Sequence, residues 1–280
     1  MSVIDLADIN IWLDVVFTSL YVVVVLGLSG HFLGNILTGR AKRRFSGGEW
    51  PEHEGPPVPF LPKFLHFTHV FSMFALGFSG MYIRFPFFDG GRTAMRWLHY
   101  VFMIIVTINV VWRLWYAFLA RRRDWREFAI TKEDIVTAPK VILYYIFVKS
   151  SKPHLGKYNV MQKATYILFL PLMLLQAYSG FALVTAPIIF GHSPRELLVG
   201  WWLSPLVGSV DLAGWYARTL HYTINWLFII LTTIHAYLSV TEDLPAFETF
   251  FGLGGADHGE HGDQGSAGAS VATASAGERS

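Results

Sequence analysis

The run WYARTLHYTINWLFIILTTIHAYLSV, residues 215–240, decides the fold. It is one apolar stretch, long enough as a helix to cross a hydrocarbon core about 30 Å thick. Inside it His221 and His235 stand fourteen residues apart. At about 100° per residue the second side chain returns to within roughly 40° of the first, so both face one side. At about 1.5 Å per residue they lie about 21 Å apart along the axis. One helix thus offers an imidazole near each membrane surface, as two haems stacked across a bilayer would need.

The rest of the chain agrees with a membrane protein. Its 280 residues are 53% hydrophobic and 16% aromatic, and only 15% are charged, against roughly 25% in soluble domains. Four further apolar stretches reach spanning length. The spans run approximately over 11–37, 63–83, 97–119, 160–186 and 215–240. The fold class expected is an all-α integral membrane protein, a five-helix transmembrane bundle. There is no cysteine, which excludes disulfides, iron–sulfur ligation and covalent c-type haem attachment within this chain. The N-terminus has acidic residues and no basic region, and the run after it lacks a small-residue cleavage site. It reads as a retained helix rather than a signal peptide.

Between the spans, the Gly/Pro-rich stretch 46–62 reads as a loop. Thr131 and Asp134 have capping-box spacing ahead of apolar Ile135–Val148. That stretch is short and holds Pro139 and Lys140, so an interfacial helix is expected there. From Gly252 the composition is Gly/Ala/Ser-rich, which reads as a disordered tail. The domain reading is an additional N-terminal helix over 1–38, a cytoplasmic loop over 39–62, a four-helix core over 63–251 and a cytoplasmic tail over 252–280. The first and third connections carry fifteen Lys and Arg, the second and fourth five. Basic loops stay in the cytoplasm, so the N-terminus is expected outside and the C-terminus inside a bacterial inner membrane.

This topology gives each histidine a depth. His66 and His69 open the second span at the inner surface, and His99 opens the third at the outer surface. His221 is outer and His235 inner. The depths pair His99 with His221, and His66 or His69 with His235. Two neutral imidazoles on a haem leave no open iron position; such haems carry electrons and do not bind oxygen. Intramembrane ionisable residues are usually functional, although a single one is as often a hydrogen-bonded packing residue. His31, in the first span after Gly27 and Gly30, finds only His69 at its depth; a structural role is expected for it, with a quinone contact or a haem-edge hydrogen bond as the sharper alternative. Ser79-Gly80 and Ser179-Gly180 are places where a haem face or a backbone can approach closely. Arg113 suits an inner propionate or simple snorkelling; Arg84, Arg92, Arg96 and Arg218 suit outer propionates or an acidic partner.

These residues resemble the dihaem cytochrome b membrane subunits of respiratory formate dehydrogenases, nickel–iron hydrogenases and thiosulfate reductases. Four elements carry the resemblance, over about 63–252. They are His221-Tyr-Thr-Ile-Asn with Thr-Ile-His235-Ala-Tyr, His66 fourteen residues before Gly80, Arg96-Trp-Leu-His99, and Gly156-Lys157-Tyr158-Asn159 with Gln162. The resemblance implies two haem b groups, an outer one on His99 and His221 and an inner one on His66 and His235. It favours His66 over His69, and it implies a menaquinone site near the inner haem with Asn159 and Gln162 as contacts. A plain helix N-cap at Asn159 is equally permitted.

The implied partners are an iron–sulfur electron-transfer subunit, a molybdenum, tungsten or nickel–iron catalytic subunit, menaquinone and membrane lipid, with no nucleic acid. The chain itself would be an electron-transfer subunit of an oxidoreductase rather than a catalytic one. Two features depart from the formate dehydrogenase pattern: the first span is additional, and Thr241-Glu242-Asp243 looks more like the hydrogenase branch. The rival expectations are a stand-alone cytochrome b561-type reductase and a cofactor-free anchor or transporter.

Overall fold

The structure is a computed structural model and describes residues 6–50, 59–120, 124–151, 153 and 160–251. Five helices are long and apolar enough to cross a membrane: α1 (Leu6–Leu37), α3 (Phe60–Arg84), α4 (Arg92–Phe118), α6 (Val160–Phe181) and α8 (Val210–Glu242). Among the described residues four short α-helices accompany them, α2 (Arg40–Phe45), α5 (Lys132–Tyr145), α7 (Trp201–Val207) and α9 (Leu244–Phe251), with a 3₁₀ turn over Asp124–Phe128 and a π turn over Glu196–Gly200. Among the described residues no strand forms, and one isolated bridge joins Ile189 and His192. Helices prevail because hydrocarbon offers no partner for backbone N–H and C=O groups. The bundle's outer faces are apolar: Trp12 is 68% exposed, Phe74 70% and Val111 62%. Such a surface suits lipid, where it carries no hydrophobic penalty.

The five spans match the expected number, with shifted ends. The fourth ends at Phe181, five residues before the expected Ala186. A tight turn closes it, with Leu183 N–H donating to the Gly180 carbonyl at 3.1 Å, and Pro187 disfavours helical backbone just before it. The fifth starts five residues early, because Ser209 caps it, accepting from Leu212 N–H at 3.1 Å. α7 and α9 fall in stretches read from sequence as connections. The expected capping box is present: Asp134 N–H donates to Thr131 Oγ1 at 3.2 Å, and Thr131 N–H donates to the Asp134 carboxylate at 2.8 Å. α5 stops at Tyr145 rather than Val148, since Phe147 takes a left-handed backbone at φ 65°. The tail, and the loop around 51–58, lie outside the described residues.

α3 and α4 form one tightly packed hairpin. α6 and α8 form a second seam around Leu172, Ile224 and Phe228. The two hairpins touch each other sparingly, with Met73 of α3 packing on the α6–α8 cluster. α1 lies beside α8 and runs parallel to it. At one end Asp14 accepts from Arg84 at 2.7 Å and from the Tyr222 hydroxyl at 2.5 Å. Midway, Phe17 stacks on Trp226 at 6.1 Å. At the other end Arg44 of α2 makes a two-pronged pair with Glu242, both contacts 2.8 Å, and donates to the Thr241 carbonyl at 2.7 Å. Arg44 and Glu242 are 7% and 3% exposed. Burial opposes the Arg44 charge, but the Glu242 carboxylate outweighs it and raises the arginine's pKa.

Two predictions follow from these ties. Glu242→Ala leaves Arg44 buried and uncompensated, and should destabilise the protein by about 3–5 kcal/mol, read as a lower thermal transition in detergent. The second concerns α5, where Lys163 of α6 holds Asp134 at 2.8 Å. Burial pushes this carboxyl up, but Lys163 and Thr131 outweigh it and hold its pKa below the ordinary value. A depressed pKa means stabilisation that is complete above the ordinary carboxylate value and lost as pH falls from there through the folded value. Hydrogen-exchange protection of α5 should therefore persist at neutral pH and fall in acid, and Asp134→Asn should abolish that acid step.

Candidate functional site

His99 rises from the first turns of α4 and His221 from the upper half of α8. Their ring centres are 6.3 Å apart and the planes cross at 70°. Each ring is held by a serine on the neighbouring helix. Ser79 Oγ donates to the Ala75 carbonyl at 2.6 Å and stands 3.0 Å from His99 Nδ1. Ser179 Oγ donates to the Leu175 carbonyl at 2.7 Å and stands 3.2 Å from His221 Nδ1, which also meets the Gln176 carbonyl at 3.2 Å. Each hydroxyl proton is used inside its own helix, so each Oγ accepts. Nδ1 therefore carries the proton on both rings, and Nε2 carries the lone pair. The Gln176 amide nitrogen sits 3.4 Å from His221 Nε2.

This geometry fits one metal between two imidazoles. With a metal–nitrogen bond of about 2 Å and Nε2 about 1 Å from its ring centre, two coaxial imidazoles stand roughly 6 Å apart. The adjacent glycines leave flat space beside the rings. A Cβ on Gly180 would come within 3.0 Å of His221 Cε1, and one on Gly80 within 3.5 Å of His99 Cε1. Among the described residues no three His, Cys, Asp or Glu side chains gather as a metal cluster. His99 and His221 meet as a pair, a donor set that suits a macrocycle-held iron rather than a bare ion.

At the opposite end, α3 carries His66 and His69 and α8 carries His235. Asn109 of α4 donates to the Leu65 carbonyl at 2.9 Å and locks the two helices there. His235 and Arg113 both act electrostatically on His66, and His66 sits edge-on to Phe67 at 5.6 Å. The structure thus brings His66 and His235 to one region. Gln162 lies half-buried in the first turn of α6. Asn159 and its Gly-Lys-Tyr-Asn loop fall outside the described residues, as do His53, His154, His258 and His261. Arg113 stacks over Tyr116 at 5.7 Å.

Three sets of contacts add to the sequence reading. His31 does not look to His69: its Nδ1 meets the Tyr237 hydroxyl at 2.7 Å and the Asn35 amide at 3.2 Å, because α1 packs on α8. Arg84 is held by Asp14, a partner on the additional helix that no local pattern announces. The Ser-Gly pairs do more than leave room, since their serines fix the imidazole tautomer. The repeat of Ser-Gly in two spans was the available signal for this.

A helical membrane bundle with imidazoles paired across its seam is the framework of a membrane-bound b-type cytochrome. The chain belongs to the family described as prokaryotic cytochrome b561, whose model matches residues 58–252. It is 24% identical over 201 residues to a probable Ni/Fe-hydrogenase B-type cytochrome subunit of Rhizobium leguminosarum bv. viciae, covering 64% of this chain and 77% of that one. It is 25% identical over 165 residues to a protein of the same name from Rhodobacter capsulatus, covering 58% and 57%. α1 lies outside the matched family region.

Gly180→Leu should push the His221 ring aside and lower the haem-to-protein ratio in a pyridine haemochrome assay, whereas Gly80→Ala should leave it intact. Ser179→Ala removes an acceptor that makes the imidazole a stronger donor to ferric iron. Its expected effect is an upward shift of tens of millivolts in one midpoint potential, read by redox titration, with haem content preserved.

Proposed function

We propose that this protein is the membrane cytochrome b subunit of a respiratory nickel–iron hydrogenase, passing electrons between an iron–sulfur partner and the menaquinone pool through two bis-histidine haems. The paired His99 and His221 rings, 6.3 Å apart with each Nδ1 held from the neighbouring helix, support this reading. The hydrogenase assignment rests on what the two relatives are named and on Thr241-Glu242-Asp243. It is preferred here to formate dehydrogenase or thiosulfate reductase partners.

In this reading His99 and His221 hold the outer haem and His66 and His235 the inner one. Haem b, when bound, supplies a one-electron carrier with both axial positions filled by imidazole. The chain's own residues do the rest. Ser79 and Ser179 hold the outer rings at one tautomer, and the glycines beside them keep the approach flat. Asn159 and Gln162 are the quinone contacts the family resemblance suggests. The balance for the complex is one dihydrogen giving two electrons and two protons at the partner, and one quinone taking up two of each to become quinol. The basic first and third connections support a cytoplasmic C-terminus in the bacterial inner membrane. The four-helix core is 63–251, with 1–38 additional, 39–62 a cytoplasmic loop and 252–280 a cytoplasmic tail.

The family's description also fits a stand-alone cytochrome b561-type reductase; co-purification with an iron–sulfur subunit decides between them. The reading is tested by the reduced-minus-oxidised spectrum of membranes supplied with hydrogen. A b-type α band reduced by hydrogen is expected, and its absence would sink the proposal. His235→Ala should remove one haem and quinone reduction while the other haem stays reducible.

A further inference from the structure

We propose that α1 builds a quinone-headgroup site at the His235 end of the bundle, with His31 and Asn35 as its polar contacts. This rests on the quinone reading above, and it places the ring on a helix outside the matched family region.

The observations are local and independent of one another. The His31 Nδ1 face is engaged by Tyr237 and Asn35, while His31 Nε2 and Asn35 Oδ1 are buried with no hydrogen-bond partner among the described residues. The Tyr145 backbone faces the imidazole as a weak hydrogen-bond partner, outside the distance and angle of a formed bond at Nε2. Asn35 is 2% exposed. Whichever way its amide is turned, one of its two polar atoms lacks a partner. A buried donor and a buried acceptor left unmade side by side are costly, and in a native site they point to a ligand.

Aromatic side chains define what kind of ligand. The His31 ring is framed by Phe147 at 5.0 Å, Tyr237 at 5.6 Å and Tyr145 at 6.2 Å. Phe147 holds a left-handed backbone that a bulky residue rarely adopts, and its ring lies against Gly34, where no Cβ would fit. Arg40 fixes this turn, donating to the Tyr144 and Lys149 carbonyls with its guanidinium 4.8 Å from the Phe147 ring. One turn along α1 from His31, Gly27 has nothing within 4 Å of where a Cβ would stand, and neither has the adjacent Gly30. His31 is itself only half-buried. The notch therefore opens sideways toward lipid, the route by which a bilayer-soluble ring arrives.

The polar pair matches both redox forms of one ligand. Nδ1 accepts from Tyr237 or Asn35, so Nε2 bears the proton and donates to a quinone carbonyl. The asparagine oxygen accepts from a quinol hydroxyl. Tyr237 follows His235 by two residues on α8, so a ring held here sits at the inner end of the proposed electron path.

The test uses the intact membrane complex and an azido-1,4-naphthoquinone photoprobe, with 2-methyl-1,4-naphthoquinone as competitor and peptide mapping by mass spectrometry. Competed labelling in segments 27–35 and 144–147 is the expected result. Competed labelling confined to the first turn of α6 around Gln162, or to any other region, overturns the inference and leaves the quinone reading standing. No competed labelling, together with failure of the naphthoquinone to reoxidise dithionite-reduced haem in the unaltered complex, overturns both. In the reoxidation assay His31→Leu should raise the half-saturating naphthoquinone concentration about tenfold, the worth of one buried hydrogen bond, while ferricyanide reoxidation and the reduced spectrum stay unchanged. Should His31→Leu lose haem, Gly27→Leu fills the open notch without touching the polar pair and carries the same expectation. Unaltered saturation in the variant that retains its haem refutes the site.

Discussion

An imidazole placed in hydrocarbon must find a partner for each nitrogen or bear the cost of desolvation. That constraint organises this bundle. Ser79 and Ser179 satisfy it for one nitrogen each, and they do so only because their own protons are already spent on the preceding helical turn. The ring centres of His99 and His221 then stand at a separation suited to a shared metal. Had the serines been free to donate, the tautomers would reverse and the lone pairs would turn away from each other. The glycine after each serine follows from the same geometry, since the ring must approach the helix at van der Waals distance.

α1 answers a different need. Two hairpins that touch only sparingly are held together by little of their own, and lipid supplies no hydrophobic drive to close them. α1 spans the gap in contacts by polar ties at both ends. Asp14 joins the ends of α3 and α8 through Arg84 and Tyr222, and Arg44 joins α2, α5 and α8 through Glu242 and the Tyr144 hydroxyl. The Arg44–Glu242 tie is desolvated, so it is costly to break on one side only. That makes α1 a clasp rather than an ornament.

Much of this was legible in the sequence. Five spans, the short α5 with its Thr131–Asp134 box, and the nearness of His99 and His221 follow from apolar run length, cap spacing and depth. Helix ends were less so: Pro187 and Ser209 move them by five residues, through turn and cap geometry that hydropathy does not register. The partners of His31 and Arg84 were not legible, because they depend on which helix α1 packs against. In lipid a uniformly apolar helix carries little pattern to say so. The roles of the serines lay in between: their repetition was visible, but the direction of their hydrogen bonds was not.

The two ends of the bundle offer different chemistry. At the His99–His221 end the imidazoles contact hydroxyls, carbonyls and an amide, all neutral. At the His235 end lie Arg113, Arg40, Arg44 and Glu242, with Tyr237 and His31 between them. A neutral, preorganised surround changes little when an electron alone arrives or leaves. Asp14, Arg84 and Tyr222 do stand near the first end, but they are spent on one another and on fastening α1. At the second end the charged pair Arg44 and Glu242 fastens α2 to α8, and the Tyr237 hydroxyl reaches His31 directly. The imidazoles of the two ends therefore sit in different polar surroundings.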